Sequence, residues 1–321
     1  MTPISWLSAL NDLTTPAILV TVAAVDGSGP REPGAKMLIT AEALFDTIGG
    51  GHLELCAMTV AREMLAMPSG SLLSERRMQR FSLGPALGQC CGGVVHLVFE
   101  RVTPGGYASC LQERLIQGED SWRVVSLDAI ADADLITAAP DWQDGCHVFT
   151  DAAGQRWLRD PCLAWRAHLM LFGAGHVGAA LVRTLADLPC KVTWIDEREE
   201  QFPRDLPANV QIELTDTPES LIASAAPGMS FLVMTHSHAL DQTLTEHILR
   251  RNDFFWFGLI GSKTKRTLFE RRLLERGIDA NQLGKMVCPI GIDGIAGKSP
   301  AVIAIAVAAQ LMQVWEQQNS L

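Results

Sequence analysis

Two adjacent cysteines lie in a glycine-framed stretch whose composition suits a soft metal. The run Gly88-Gln89-Cys90-Cys91-Gly92-Gly93 places both thiols between glycine-containing pairs. Glycine removes side-chain bulk around the sulfurs, and a thiolate is a natural ligand or nucleophile for a soft metal or sulfur centre. The other cysteines show no CxxC spacing typical of zinc or redox dithiols and are expected to be small core residues. We therefore interpret Cys90 and Cys91 as functional thiols.

A glycine run earlier in the chain can hold an anion. Gly49-Gly50-Gly51-His52 precedes a predicted helix that begins near Leu53. Successive backbone amides in such a turn form a concave nest for phosphate or carboxylate. The alternative is a flexible turn, in which His52 caps the chain instead of touching a ligand.

A dinucleotide fingerprint follows a continuous apolar run, 167–172. Gly173-Ala174-Gly175-His176-Val177-Gly178 opens a helix, and Asp196 ends the next apolar strand eighteen residues after Gly178. The glycines permit a tight turn, the approach of a phosphate and close helix packing, while an acidic residue at this position can bind ribose hydroxyls. The spacing predicts a Rossmann fold. It leaves open whether Gly173, Gly175, Gly178 and Asp196 bind a nucleotide or only maintain the fold.

Two further polar segments follow apolar strands in the same half. In Thr235-His236-Ser237-His238-Ala239-Leu240-Asp241, the two histidines can chelate a metal with Asp241 or His247, or can simply hydrogen-bond in a loop. In an oxidoreductase, His236 or His238 can instead act as a general acid or base. The segment Gly258–Arg266 contains amides, a hydroxyl and cations that can hold an anionic ligand. The alternative is that it only forms the solvated start of a helix.

These motifs need two kinds of domain to position them. Residues 1–160 contain short β-like runs separated by glycine-dense loops and a helical stretch, which predicts an α+β domain with a connector from about residue 110. Residues 161–321 alternate apolar strands with helical faces. This alternation predicts an α/β fold class, with a doubly wound, Rossmann-like parallel sheet in the carboxyl-terminal half.

The chain ends in a strongly apolar helix. Ser299 is a good N-cap, Pro300 a good first residue, and 301–309 is apolar on all faces. Such a helix is expected to be buried, either between domains or between subunits, so we predict a homodimer.

Composition excludes several classes of protein. Of 321 residues, 48% are hydrophobic and 19% charged, which argues against disorder. The formal charge of -10, with no basic run interleaved with aromatics, argues against nucleic-acid and anionic-membrane partners. The longest apolar stretch, 301–312, is shorter than the roughly 20 residues that span a bilayer, so we expect a cytoplasmic protein.

Several blocks together resemble one family, the XdhC/CoxI accessory proteins. The matching blocks are Val20–Met37, Thr47–Glu54, Leu83–Gly93, the Gly173 fingerprint, THSHALD, GLIGSKTKR and PIGIDGIAGKSP, in the same order as in that family. They span almost the whole chain.

This resemblance implies a chaperone rather than a catalyst. Its members bind molybdenum cofactor (a molybdopterin, with or without a nucleotide), shield it from oxidation, favour its sulfuration together with a cysteine desulfurase, and support its insertion into an apo molybdenum hydroxylase such as xanthine dehydrogenase. On this pattern Cys90 and Cys91 lie at the molybdenum, and Gln89 and Gly92 shape their loop. Candidates for the rest of the cofactor are Arg31, Lys36, Gly49, Gly50, Gly51 and His52.

Two alternatives follow from the residues themselves. The Gly173 motif suits an NAD(P)-dependent oxidoreductase, which offers no account of the stretch 88–93. A metal-dependent hydrolase built on His236, His238 and Asp241 is the third hypothesis.

Overall fold

The computed structural model describes residues 5–84, 92–130, 134–136, 145–164 and 167–319. The described residues form two compact units, the first up to residue 164 and the second over 167–319. In the described residues no helix is both long and apolar enough to cross a membrane.

The first unit is built on an antiparallel sheet. Its described strands are β1 (Ala17–Asp26), β2 (Lys36–Ile39), β3 (Leu44–Asp46), β4 (Arg76–Ser82) and β5 (Val94–Val102). Their order is β3-β2-β1-β5-β4, so the two longest strands lie side by side near the centre. The described helices are α1 (Ser5–Asn11), α2 (Gly51–Ala66), α3 (Leu72–Glu75) and α4 (Ala108–Gln117). Helix α2 buries Leu53, Ala57 and Met64 in the core that covers one face of this sheet.

A second antiparallel sheet completes this unit. It contains β6 (Ser121–Ser126), β7 (Asp134–Ile136), β8 (His147–Thr150) and β9 (Arg156–Cys162) in the order β7-β6-β9-β8. Val125 and Leu158 from this sheet share a buried cluster with Ala23 and Val98 from the first. The two sheets therefore pack face to face through apolar side chains.

Charged side chains are also buried between the strands of the first unit. Arg123 has no exposed surface, and it donates to both oxygens of Glu100 at 2.9 and 2.7 Å and to Asp160 at 2.5 Å. Lys36 donates to the other oxygen of Asp160 at 2.7 Å. Because a buried charge is costly unless it is paired, these contacts fix β2, β5, β6 and β9 relative to one another.

The second unit is the predicted doubly wound sheet. Its described strands are β10 (His168–Phe172), β11 (Lys191–Asp196), β12 (Val210–Leu214), β13 (Ser230–Val233), β14 (Trp256–Leu259) and β15 (Met286–Val287). They pair in parallel in the order β12-β11-β10-β13-β14-β15. The α/β fold class predicted from the alternation of strands and helices is confirmed.

Helices cover both faces of this parallel sheet. They are α5 (His176–Thr184), α6 (Pro218–Ser224), α7 (His238–Arg251), α8 (Lys263–Glu275), α9 (Ala280–Gly284) and α10 (Pro300–Asn319). Helices α5 and α10 contribute to one buried cluster, and α6, α7 and α8 contribute to the other. The apolar core is thus split between the two faces, as doubly wound folds require.

The terminal helix is buried on one face only. Ala304, Val307 and Leu311 of α10 lie in the core against α5, whereas 56% of Ile305 is exposed. The expectation that this helix is buried between domains or between subunits stays a prediction for the face that carries Ile305.

The buried ionic cluster predicts the effect of a single substitution. Asp160→Asn should lower the free energy of unfolding by about 3 kcal/mol, because Lys36 and Arg123 would stay buried without their shared carboxylate. Urea denaturation of the full chain measures this change. Asp128→Asn, which removes the exposed partner of Arg156, is the control and should have little effect. Equal losses in the two variants would contradict the structural role of the cluster.

Candidate functional site

The amino-terminal motif loops meet at one end of the first unit. A Cβ placed on Gly49 would lie 2.4 Å from the Cβ of Pro30, and one placed on Gly93 would lie 2.2 Å from the backbone oxygen of Ser28. Arg31 also donates to the carbonyl of Thr47 at 3.4 Å. The loops that carry Ser28–Arg31, Thr47–Gly49 and Gly93 are distant in sequence but therefore form one packed surface.

Gly93 anchors the segment that carries the two adjacent cysteines. The amide of Leu83 donates to the carbonyl of Gly93 at 2.9 Å, which brings the described ends of this segment together. Gln89, Cys90 and Cys91 lie outside the described residues, and Gly92 is exposed. The predicted roles of these four residues stay predictions.

The predicted anion nest at Gly49–Gly51 already holds a carboxylate. Glu54, in the first turn of α2, accepts from the amides of Ile48 and Gly50 at 3.1 and 2.9 Å and from the Thr47 hydroxyl at 2.5 Å. The amides of Ile48 and Gly50 thus hold an anion of the chain itself, and the binding of a ligand at Gly49–Gly51 stays a prediction. All three glycines have positive φ, and His52 is exposed beside them.

Arg31 and Lys36 line the same pocket. It has a volume of about 250 Å³ and is also lined by Trp6, Asp46 and Thr47. The Arg31 side chain is 38% exposed and pairs with the more exposed Glu32 at 2.9 Å. The hydrogen bond from Arg31 lowers the pKa of Glu32, and both groups stay charged at neutral pH.

Lys36 differs from Arg31 because its charge is committed within the protein. Its ammonium donates to Asp160 and, at 2.9 Å, to the carbonyl of Gly34, and its side chain is only 6% exposed. Burial by itself lowers the pKa of Lys36, but Asp160 together with smaller electrostatic contributions around it raises the pKa overall. The Lys36 ammonium is thus held in a fixed position by its pair with Asp160.

The second unit has its own candidate site at the carboxyl edge of the parallel sheet. Strand order reverses between β10 and β13, and ligands of doubly wound proteins bind outside such a switch point. Gly173 approaches the carbonyl of Met234, and Gly178 packs on the carbonyl of Gly173. At Gly175 the described atoms leave the Cβ position open to 4 Å, so a ligand can approach there. The three glycines have the geometry expected of the fingerprint.

The acidic residue of the fingerprint is engaged by the chain itself. Asp196 accepts from the amide of Ala174 at 2.7 Å and from the guanidinium of Arg198 at 2.8 and 2.9 Å. Burial by itself raises the pKa of the Asp196 carboxyl, but these hydrogen bonds outweigh it and lower the pKa below its ordinary value. Asp196 is therefore ionised at neutral pH, and both its oxygens have partners.

The segment THSHALD is fixed by an ion pair rather than by a metal. Asp241 is buried and accepts from Thr235 at 2.7 Å and from Lys265 at 2.5 Å. His236 and His238 are exposed, and His236 lies 4.0 Å from Glu197. Among the described residues no three His, Cys, Asp or Glu side chains are grouped to hold a metal ion. Lys265 therefore competes for the Asp241 carboxylate that the hydrolase hypothesis uses, and that hypothesis has no grouped metal ligands among the described residues to support it.

Sequence reasoning missed two residues that fill candidate sites. Glu54 is three positions beyond Gly51, and a Glu near the start of a helix that bonds back to preceding amides is a known capping pattern, so this signal was available. Arg198 had a weaker signal, because an arginine two residues beyond an acidic strand end can point in several directions.

Comparison with known families decides the identity of the fold. Residues 169–311 match the XdhC Rossmann domain, and residues 12–74 match the XdhC and CoxI family. The chain belongs to the XdhC and CoxI family. This result confirms the resemblance carried by the motif blocks of both units.

Individual proteins are also similar to this XdhC-family chain. A protein of Bacillus subtilis (strain 168), named as a probable xanthine dehydrogenase subunit, is 24% identical over 338 aligned residues, which cover 96% of each chain. The uncharacterized protein YqeB of Escherichia coli (strain K12) is 29% identical over 155 residues, but the match spans only 27% of that protein's length. A crystal structure described as a xanthine dehydrogenase from Bacillus halodurans superposes with a TM-score of 0.78 at 22% identity, covering 99% of this chain and 96% of that one. This last likeness shows the fold alone.

The contact between Gly93 and Ser28 predicts different effects at adjacent glycines. Gly93→Ala should lower stability by roughly 1–3 kcal/mol, because the new methyl group must displace a backbone carbonyl. Gly92→Ala is the matched control, since a Cβ there meets no described atom within 4 Å. Thermal unfolding of both variants measures the difference. A Gly93→Ala variant as stable as Gly92→Ala would show that the two loops do not pack as described.

Proposed function

We propose that this XdhC-family chain is an accessory protein for the maturation of a molybdenum hydroxylase of the xanthine dehydrogenase type. In this role it binds molybdenum cofactor, protects it from oxidation, supports its sulfuration with a cysteine desulfurase and supports its insertion into the apo enzyme. Matches to both family models support a link to xanthine dehydrogenase, as does the name of the Bacillus subtilis relative.

The observation that carries this proposal is the convergence of the amino-terminal motif loops. Gly93, at one end of the cysteine-bearing segment, packs on Ser28, which lies three residues before Arg31 in the same loop. Arg31 in turn lines the pocket beside Thr47. A cation, a glycine-rich turn and the base of the segment with two thiols thus belong to one surface.

The chemistry of this surface fits the parts of a molybdopterin. Arg31 suits the phosphate, because its exposed pair with Glu32 can be exchanged for another anion at little cost. Cys90 and Cys91 are the residues proposed for the soft metal, with Gln89 and Gly92 beside them. Gly49, Gly50 and His52 border the site. A phosphate can accept from the amide of Gly50 only when the Glu54 carboxylate moves off it. The bound cofactor supplies the molybdenum centre of the client enzyme.

The buried cysteines are poor competitors for this thiol role. Desolvation raises the pKa of Cys162 and of Cys190 to about 12, so both thiols are protonated at neutral pH. A thiolate is the reactive and metal-binding form. This favours the two cysteines framed by glycine over the buried cysteines as sulfur ligands.

The NAD(P)-dependent oxidoreductase is the alternative prediction. It has the fingerprint of the second unit in its favour, but Asp196 is engaged by Arg198, and His236 and His238 are exposed at the edge of the sheet. A chaperone should retain molybdenum cofactor and consume neither NADH nor NADPH. The oxidoreductase should instead consume one of these two nucleotides.

Removal of the paired thiols tests the cofactor site. Cys90→Ala, Cys91→Ala and the double variant should each lower the molybdenum and pterin retained per chain, by at least about tenfold in the double variant, because the soft-metal ligands are lost. Incubation with released cofactor, followed by desalting and metal and pterin analysis, gives the measurement. Cys110→Ala removes an exposed thiol on α4 and should retain as much cofactor as the parent chain. Full retention in the double variant would refute the thiol assignment.

We also propose that the chain forms a homodimer through the uncovered face of α10. Ile305 is 56% exposed there, beside exposed Ala301 and half-buried Val302 and Ala309. Ile305→Glu should yield monomers by light scattering at micromolar concentration, because a carboxylate would be buried in the interface. Leu274→Glu, on an exposed position of α8, should leave the mass unchanged. A monomeric parent chain would contradict the proposal.

A further inference from the structure

The Rossmann unit satisfies its own nucleotide-binding groups. The Asp196 side chain is 4% exposed, and its two oxygens accept from the backbone amide of Arg198 at 3.1 Å as well as from the Arg198 guanidinium and the Ala174 amide. In dinucleotide-binding proteins an acidic residue at this position accepts hydrogen bonds from ribose hydroxyls. Arg198 therefore occupies the place that a ribose diol would take.

The crevice beside Asp196 is small and acidic. It has a volume of about 80 Å³. Its wall includes Glu197 and Asp216 in addition to Asp196, together with Gly173 and His236. Glu197 is half-exposed and faces His236, while Asp216 is exposed. Negative charge thus surrounds the site where the 2′ position of a ribose would lie.

We propose that Arg198 is an internal competitor for a nucleotide whose ribose carries a free 2′-hydroxyl, and that the crevice rejects 2′-phosphorylated nucleotides. Ribose hydroxyls reach Asp196 only when the guanidinium leaves it, since both carboxylate oxygens already accept at least two hydrogen bonds. The Arg198 side chain is 29% exposed, so it can swing into solvent, whereas Asp196 is held in place by Ala174. Arg198 is therefore the residue of this pair that can move away.

The opposite role for Arg198, as a ligand for a 2′-phosphate, is disfavoured by its neighbours. An arginine near this strand end accommodates that phosphate in some dinucleotide-binding proteins. Here a phosphate at the same place would lie beside three carboxylates, of which Arg198 neutralises only one. Repulsion between like charges in a partly buried crevice outweighs a single added ion pair.

Binding of NAD⁺ and NADP⁺ to the full chain tests this proposal, because the two ligands differ only in the 2′-phosphate. Arg198→Met removes the guanidinium and keeps an apolar stem. It should tighten NAD⁺ binding by about five- to tenfold, the factor expected when a hydrogen-bonded ion pair no longer competes. NADP⁺ should bind at least about tenfold more weakly than NAD⁺ in both forms. Isothermal titration calorimetry measures all four affinities.

Two further variants keep the result interpretable. Arg204→Met removes an exposed arginine of the same segment and should leave both affinities unchanged. Asp196→Leu removes both oxygens that can accept from the ribose and should abolish the NAD⁺ binding seen in Arg198→Met when the two changes are combined. Circular dichroism and thermal unfolding confirm that each variant is folded.

Three results would overturn the proposal: weaker or unchanged NAD⁺ binding in folded Arg198→Met, NADP⁺ binding as tight as NAD⁺ binding, or no binding of either ligand in both forms. The experiment contains no molybdenum cofactor. Its failure therefore leaves the proposed accessory role untouched, and failure of that role leaves this site intact.

Discussion

The close approach of Gly93 to the backbone of Ser28 is the constraint on which the amino-terminal surface depends. A Cβ at position 93 would lie 2.2 Å from the Ser28 carbonyl oxygen, so only glycine fits without displacing the backbone. This contact joins the base of the cysteine-bearing segment to the loop that leads to Arg31. Pro30 in the same loop packs on Gly49, which brings in the start of α2. Without these approaches the described base of the cysteine-bearing segment and Arg31 would belong to unrelated loops.

The chain repeatedly fills its own polar sites with charged side chains. Glu54 occupies the amide nest at Gly50, Arg198 occupies the carboxylate of Asp196, and Lys265 pairs with Asp241. Such contacts fix glycine-rich loops in one geometry before any ligand binds, which lowers the entropy cost of binding. They also lower the affinity for a ligand, because the ligand must compete with a group already present. A protein that holds a cofactor temporarily benefits from both properties.

The parts of the fold that were predictable from sequence are those with strong local patterns. Strand β10, the fingerprint and β11 follow one another within thirty residues, and each carries its own apolar or glycine signal. Ser299 and Pro300 likewise mark the start of α10. In contrast, β4 and β12 are edge strands that include exposed polar residues, and their sequences RRMQRFS and VQIEL contain no continuous apolar run. The long-range pairs of Arg123 with Glu100 and Asp160 could not be predicted, because the sequence does not show which of its many charged residues form ion pairs.

The most direct test of the accessory role is transfer of the cofactor to its client. The purified full chain, loaded with sulfurated molybdenum cofactor and freed of excess, is mixed with apo xanthine dehydrogenase, and the recovered hydroxylase activity is compared with that from an equal amount of free cofactor under air. We expect that the loaded chain restores more activity than the free cofactor, and that the advantage grows with time of exposure to oxygen. Equal or lower recovery from the loaded chain would contradict it.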